Sequence, residues 1–366
     1  MTRIFLTVDG QNENIGDSIL RRGLLKTFQG IPGVELHVNI GPRADNLPQP
    51  HHGPGNDARY MTAVGLDGTE ITYESSSAWH RAAAASLLRG RVMLVQHAGE
   101  RYFPKPRPWT GWRSLVSALG AKLHRGSGVQ VGGSAAITVS KAPWAERAAC
   151  RLADPVMWRD YETAPVFGVG GVMPDFAFGE GPDPIADGLG DAPSDRPLLA
   201  VSMRGDRDPL PDEKLARLRA IAEKRGLELQ VFTQVRRDGE GALRMAEQLH
   251  PGRAPIVFGD EAHDVWEKRI RELFRRSAIV ASDRAHGVII AATEGAIPLP
   301  LAAGPAVKAS RLLRPAGFET ATDIGPAMDA YLDEMLADPR SVVDRMTKAR
   351  ADLDAVRTKL RALAAR

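Results

Sequence analysis

The chain has 366 residues, 43% hydrophobic and 25% charged, which excludes a disordered polypeptide and predicts two domains rather than one small core. Its net charge of +3 gives no argument for nucleic acid. The single cysteine, Cys150, excludes an internal disulfide and reads as a small core residue.

Ile4 to Val8 is apolar and β-prone and reads as a strand, not a secretory signal. No apolar run reaches the roughly 20 residues that span a bilayer. A cytoplasmic protein is therefore expected, with at most a peripheral contact at the inner face of a membrane. A loop with Gly10, Asn12, Asn14 and Gly16 follows. From Asp17, read as a helix cap, Ile19, Leu20, Leu24 and Phe28 fall on one helical stripe. Val34 to Ile40 is a second strand. Residues 41 to 77 lack periodicity and read as an insertion or mobile loop. A helix over 78–88 and a strand over Arg91 to Gln96 lead into the turn His97-Ala98-Gly99-Glu100. Prolines between Tyr102 and Trp112 forbid a regular helix there. A substrate-facing loop and an irregular cover over the core stand equally open. Strands are predicted at Val129 to Val131 and Pro165 to Val169, and the Gly168–Gly171 cluster is too short a signal for dinucleotide binding.

Residues 179–197 are rich in Gly, Pro and Asp and read as a linker. Beyond them, strands at Leu198–Met203, Leu227–Phe232, Ile256–Phe258, Ala278–Ala281 and Ile297–Leu301 alternate with helices, and a charged helix closes the chain. Short βα alternation predicts a doubly wound parallel sheet. The expected organisation is α/β: two Rossmann-like domains, 1–178 and 198–338, facing across a cleft, with a C-terminal helix over 339–366.

Arg204 directly follows a predicted strand, and Ser282-Asp283-Arg284-Ala285-His286-Gly287 spans a strand-to-helix turn. Carboxyl ends of parallel strands share one rim, where ligands bind. A guanidinium there suits a phosphate or carboxylate, although an ion pair of Arg204 with Asp206 or Asp208 is an equal reading. His286, in the first helical turn, is placed for general acid chemistry, because the dipole favours neutral imidazole until an anion binds. No metal is expected: His51-His52 has no partner at ligand spacing, and Glu261, His263 and Asp264 read as caps of the next helix.

Several separated motifs resemble the polysaccharide pyruvyltransferase family. They are Asn14-Ile15-Gly16-Asp17, Trp158-Arg159-Asp160, Pro174-Asp175-Phe176-Ala177-Phe178, Arg204, and Ser282 to Gly287 with trailing Gly295 and Pro298. The resemblance implies a glycosyltransferase-B-like (GT-B) fold, an acceptor side in the first domain and a donor side in the second. It implies metal-independent transfer of pyruvate from phosphoenolpyruvate to a sugar of a surface polysaccharide or its lipid-linked precursor, as a ketal. No cofactor beyond that co-substrate is implied. His286 would be the acid/base residue, and Arg204 and Arg284 would hold the donor. Asn14, Gly16, Asp17, Ser282, Ala285 and Gly287 would line the substrate site. His97 and Glu100 lie in the turn that in the family is Gly-rich, and Ala285 replaces the family's usual Leu. Two alternatives stand beside it: a GT-B glycosyltransferase using a nucleotide sugar, with both arginines on the diphosphate, and a non-catalytic sugar-binding protein.

Overall fold

The computed structural model describes residues 1–43, 56–96, 98–103, 110–124, 126–183, 196–302, 307–318, 326–338 and 340–366. Contacts divide the chain into two compact units: unit 1 holds Met1–Asn12, Asp17–Phe176 and Asp352–Arg366, and unit 2 holds Glu13–Gly16 and Ala177–Ala351. Each is a parallel α/β sheet, and the fold is GT-B-like, with two Rossmann-like units.

In unit 1 the strands are β1 (Thr2–Thr7), β2 (Val34–Asn39), β3 (Ile71–Tyr73), β4 (Arg91–Gln96), β5 (Gly99–Arg101), β6 (Ser127–Ala135), β7 (Val156–Trp158) and β8 (Gly171–Val172). They order as β3-β2-β1-β4-β6-β7-β8, with β5 pairing β6, all parallel. The order reverses between β1 and β4, which puts a ligand-type crevice beyond Thr7 and Gln96. Interleaved are α1 (Ile15–Lys26), α2 (Ala58–Val64), α3 (Ser76–Leu87), α4 (Trp112–Leu123), α5 (Trp144–Leu152) and α6 (Thr163–Phe167). Cys150 is fully buried, and burial pushes its thiol up to about 11, which leaves it inert.

Three expectations change here. The 41–77 stretch, apart from residues outside the described set, holds α2 and the edge strand β3, which pairs His37–Asn39 of β2. A three-residue strand is too short to show periodicity. The strand expected over 165–169 is instead the end of α6. Pro165 fits because a first helical turn has no N–H to lose, and Asp160 Oδ1 caps the start by accepting from Thr163 N at 2.8 Å. Asp17 lies inside α1 rather than capping it, and its Oδ2 accepts from Gln11 N. Asn14 Oδ1 accepts from Gly16 N at 3.0 Å at that helix start.

Unit 2 orders β10 (Glu228–Val231), β9 (Leu198–Ser202), β11 (Ser277–Ser282) and β12 (Ile297–Pro300) in a four-stranded parallel sheet. β9, β11 and β12 are buried throughout, as apolar runs covered on both faces require. Helices α7 (Asp212–Arg225), α8 (Gly239–Leu249), α9 (His263–Arg275), α10 (Ala285–Thr293), α11 (Val307–Leu313) and α12 (Pro326–Ala337) follow in order, and α13 (Arg340–Ala364) passes from unit 2 into unit 1. The strand expected at 256–258 reduces to one bridge, Ile256 to Phe232, and the ladder stops there as Phe258 N donates to Thr233 Oγ1 at 2.8 Å rather than to a backbone carbonyl.

Two residues of the Arg-Asp and Asp-x-Ala-Phe motifs join in unit 1. Arg159 Nη1 donates to Asp175 at 2.7 Å and its Nε donates to Ser134 Oγ at 3.1 Å, with both charged side chains buried. Breaking a buried pair strands a charge, so Asp175→Ala should lower unfolding free energy by about 3–5 kcal/mol. Urea titration checks this, and the isosteric Asp175→Asn should lose less.

Candidate functional site

Three loops meet at the carboxyl rim of the unit 2 sheet: Arg204–Asp206 after β9, Gln234–Asp238 after β10, and Ser282–Arg284 at the end of β11. Asp238, fully buried, joins all three. Its Oδ1 accepts from Gly205 N at 2.9 Å and from Arg284 Nη2 at 2.7 Å, and its Oδ2 accepts from Arg284 Nε at 2.6 Å. Both partners of this bidentate pair are desolvated. Arg284 is therefore a clamp holding the turn to its neighbour. Its Nε and Nη2 are thus engaged with Asp238, whereas the sequence expects this guanidinium to hold a donor.

Arg204 behaves differently. Its Nε and Nη2 donate to Asp206 at 2.8 and 2.7 Å, the ion pair that the sequence left open. The side chains of Arg204 and Asp206 are 25% and 44% exposed, so an incoming anion can exchange with that carboxylate. The hydrogen bonds from Arg204 hold Asp206 well below the usual carboxylate range.

The turn itself is built on short-range bonds. Ser282 Oγ accepts from Arg284 N at 3.0 Å, and Asp283 Oδ1 accepts from Arg204 N at 2.9 Å. Asp283 Oδ2 is buried with no hydrogen-bond partner, as are Ser202 Oγ and Gln234 Oε1. Burial pushes the Asp283 carboxyl up to about 6, against the pull of Arg284 and the Arg204 N–H. Two of these, Asp283 Oδ2 and Gln234 Oε1, only accept, whereas the Ser202 hydroxyl can also donate.

Glu13–Gly16 completes this arrangement as part of unit 2. Asn14 bridges to Val235 and its Oδ1 accepts from Gln234 Nε2 at 3.0 Å. A Cβ at Gly16 would lie 2.6 Å from both Gln234 Nε2 and His286 Nδ1, so only glycine permits this approach. Gly287 is confined likewise: its Cβ would meet Gln234 Oε1 at 2.9 Å. His286 is partly exposed on the first turn of α10, and Ala285 is buried at its first position.

The rim thus gathers Asn14, Gly16, Arg204, Ser282, Arg284, His286 and Gly287 from positions far apart in the chain. Asp17 belongs to unit 1, and Glu100 lies exposed on β5 of that unit. His97 lies outside the described residues. From sequence, no role falls to Asp283, although it sits inside the motif, nor to Asp238 and Gln234, for which no local signal exists. In unit 1 a separate pocket of about 310 Å³ opens beyond β1 and β4, lined among others by Thr7, Asp9, Asn39, Ser114, Gln96 and Trp79.

No protein-family model and no curated protein sequence matches the chain. Solved structures do match its fold. The UDP-GlcNAc 2-epimerase from Methanocaldococcus jannaschii aligns with a TM-score of 0.54 at 9% identity, over 98% of this chain and 99% of that one. The Neisseria meningitidis UDP-GlcNAc 2-epimerase bound to UDP-GlcNAc gives 0.53 at 7% identity, covering 99% of each. Anabaena HepE in complex with UDP gives 0.51 at 12% identity, covering 98% of each.

Asp238→Ala should cost about 3–5 kcal/mol of stability by stranding the Arg284 guanidinium, whereas Arg204→Ala should cost under about 1 kcal/mol. Denaturant titration of both variants checks the contrast. Asp283 gives a pH signature. Its folded carboxyl titrates near 6 and the unfolded one near 3.8, so folding takes up a proton between these values and stability falls as pH rises through them. Asp283→Asn keeps the oxygen for Arg204 N. Its stability advantage over the parent should be absent below about pH 4 and reach about 2–3 kcal/mol above pH 6, measured by thermal melts across that range.

Proposed function

We propose that this chain is a GT-B-fold enzyme that transfers a sugar from a nucleoside-diphosphate donor to a hydroxyl acceptor. The carrying observation is Asp283: a buried carboxylate with one unpartnered oxygen and a pKa near 6, on the sheet rim beside an exchangeable Arg204. A carboxylate titrating near neutral pH is suited to taking the proton of an acceptor hydroxyl that reaches its unpartnered oxygen on binding. In that step the acceptor oxygen bonds to the anomeric carbon and the carbon–oxygen bond to the β-phosphate breaks. The electron pair leaves with the diphosphate, which Arg204 and the amino end of α10 receive. His286 adjoins this end and hydrogen-bonds the donor. Support from outside the chain comes from the UDP and UDP-GlcNAc held by proteins of the same fold.

A second reading is pyruvyl transfer from phosphoenolpyruvate to a sugar. It is favoured by the ordered motif resemblance, and by the packing of the Asn14–Gly16 loop against Gln234 and His286 in one site. Here His286 protonates the methylene carbon, a sugar hydroxyl adds, and a second hydroxyl displaces phosphate. No metal or redox cofactor takes part in either proposal.

One experiment separates them. The purified chain is incubated with sugar acceptors and either UDP-sugars or phosphoenolpyruvate, and UDP, phosphate and product mass are measured. Nucleotide-sugar turnover is expected, with an acid limb near pH 6, and should fall at least about a hundredfold in Asp283→Asn, a variant that remains folded. Phosphate release with a pyruvate-mass gain on the acceptor, and no UDP, selects the second reading.

A further inference from the structure

Helix α4 buries Leu115, Ala118 and Ala121, yet its opposite side is not polar. Trp112, Val116, Leu119 and Leu123 follow at helical spacing and are 51%, 49%, 42% and 80% exposed. On α5, Trp144 is 54% exposed, and its ring centroid lies 6.1 Å from that of Trp112. An apolar stripe continued onto a second helix marks an interaction surface, since scattered apolar side chains do not line up this way.

Charge identifies what covers it. Helices α3, α4 and α5 carry Arg81, Arg113, Lys122, Arg147 and Arg151. Their only carboxylate, Glu146, is buried and paired with Arg101 at 3.3 Å. The chain as a whole is nearly balanced, 48 cationic against 45 anionic side chains, so the excess is local to this face. A second copy of the chain would bring like charges together. An anionic bilayer offers an apolar layer for the stripe and negative headgroups for its cations, and tryptophan favours that boundary. The basic C-terminal α13 lacks such a stripe: Val342, Met346, Leu353 and Leu360 are buried, and Asp344, Asp352 and Asp354 interleave its cations.

We propose that the α4–α5 face of unit 1 docks on an anionic lipid bilayer. Trp112, Val116, Leu119, Leu123 and Trp144 enter the acyl boundary, with Arg113, Lys122, Arg147 and Arg151 at the headgroups. The inference is independent of which donor the enzyme uses. Such docking would hold the protein at the surface where a lipid-linked acceptor resides.

Vesicle co-sedimentation of the full chain tests it, with phosphatidylcholine alone or mixed with phosphatidylglycerol, at low and high salt. Binding should require phosphatidylglycerol and weaken about tenfold at high salt. The double variant Leu119→Asp, Leu123→Asp and the double variant Arg113→Glu, Lys122→Glu should each bind at least about tenfold less. All four positions are exposed, so unchanged circular dichroism and thermal melts are expected. Arg340→Glu on α13 should bind as the parent does. The proposal is overturned by absence of binding to the phosphatidylglycerol vesicles, by parent-like binding of either double variant, or by a dimer that both double variants dissociate while the parent ignores vesicles.

Discussion

The buried pair of Asp238 and Arg284 is the constraint on which the unit 2 rim depends. Three strands deliver three loops to one edge, but strand pairing ends at Ser202, Val231 and Ser282. Beyond those residues only isolated bridges, Phe232 to Ile256 and Asn14 to Val235, continue backbone pairing along the second loop among the described residues. Asp238 ties the loops together by accepting two hydrogen bonds from the Arg284 fork and one from the backbone of Gly205. Each partner would be costly to bury alone, so the geometry is held by the penalty of separating them. Specificity of arrangement, more than net stability, is what such a pair contributes.

With that clamp in place, the remaining charges divide by burial. Arg204 keeps a half-open ion pair with Asp206 that water already weakens, and so its guanidinium remains available to an anion. Asp283, one residue from the clamp, has one buried oxygen without a hydrogen-bond partner, and burial pushes its carboxyl up to about 6. Adjacent residues of a single turn thus take opposite tasks. Arg284 holds the turn to Asp238 through two side-chain hydrogen bonds, whereas Asp283 keeps one buried oxygen without a partner. Sites commonly carry such a local cost where chemistry needs an unmet group.

Unit 1 repeats the structural half of this logic. Arg159 and Asp175 form another buried pair, and Asp160 caps α6 through Thr163. The motif residues at 159, 160 and 175 therefore secure the last strands of that sheet. In both units an Arg–Asp pair at a strand end does what further strand pairing would otherwise do.

Much of the fold was legible from sequence because it rests on local periodicity. The apolar runs of β1, β4, β9 and β11 and the amphipathic stripes of α7 and α9 mark themselves within short windows. Elements too short for a period, β3 and α6, escaped, and the strand expected at Ile256 shrank to a bridge where a threonine hydroxyl takes the next backbone donor. At the candidate site, the sequence by itself determined that Ser282 to Gly287 joins a strand to a helix, because an apolar run precedes it and a helical run follows. Tertiary structure alone decided which of the turn's charges remain available. Asp238 lies 46 residues from Arg284, and Gln234 lies 220 residues from Asn14. Burial and partnership at such separations are properties of the packed chain, and they, rather than residue type, set whether an arginine binds a ligand or an aspartate.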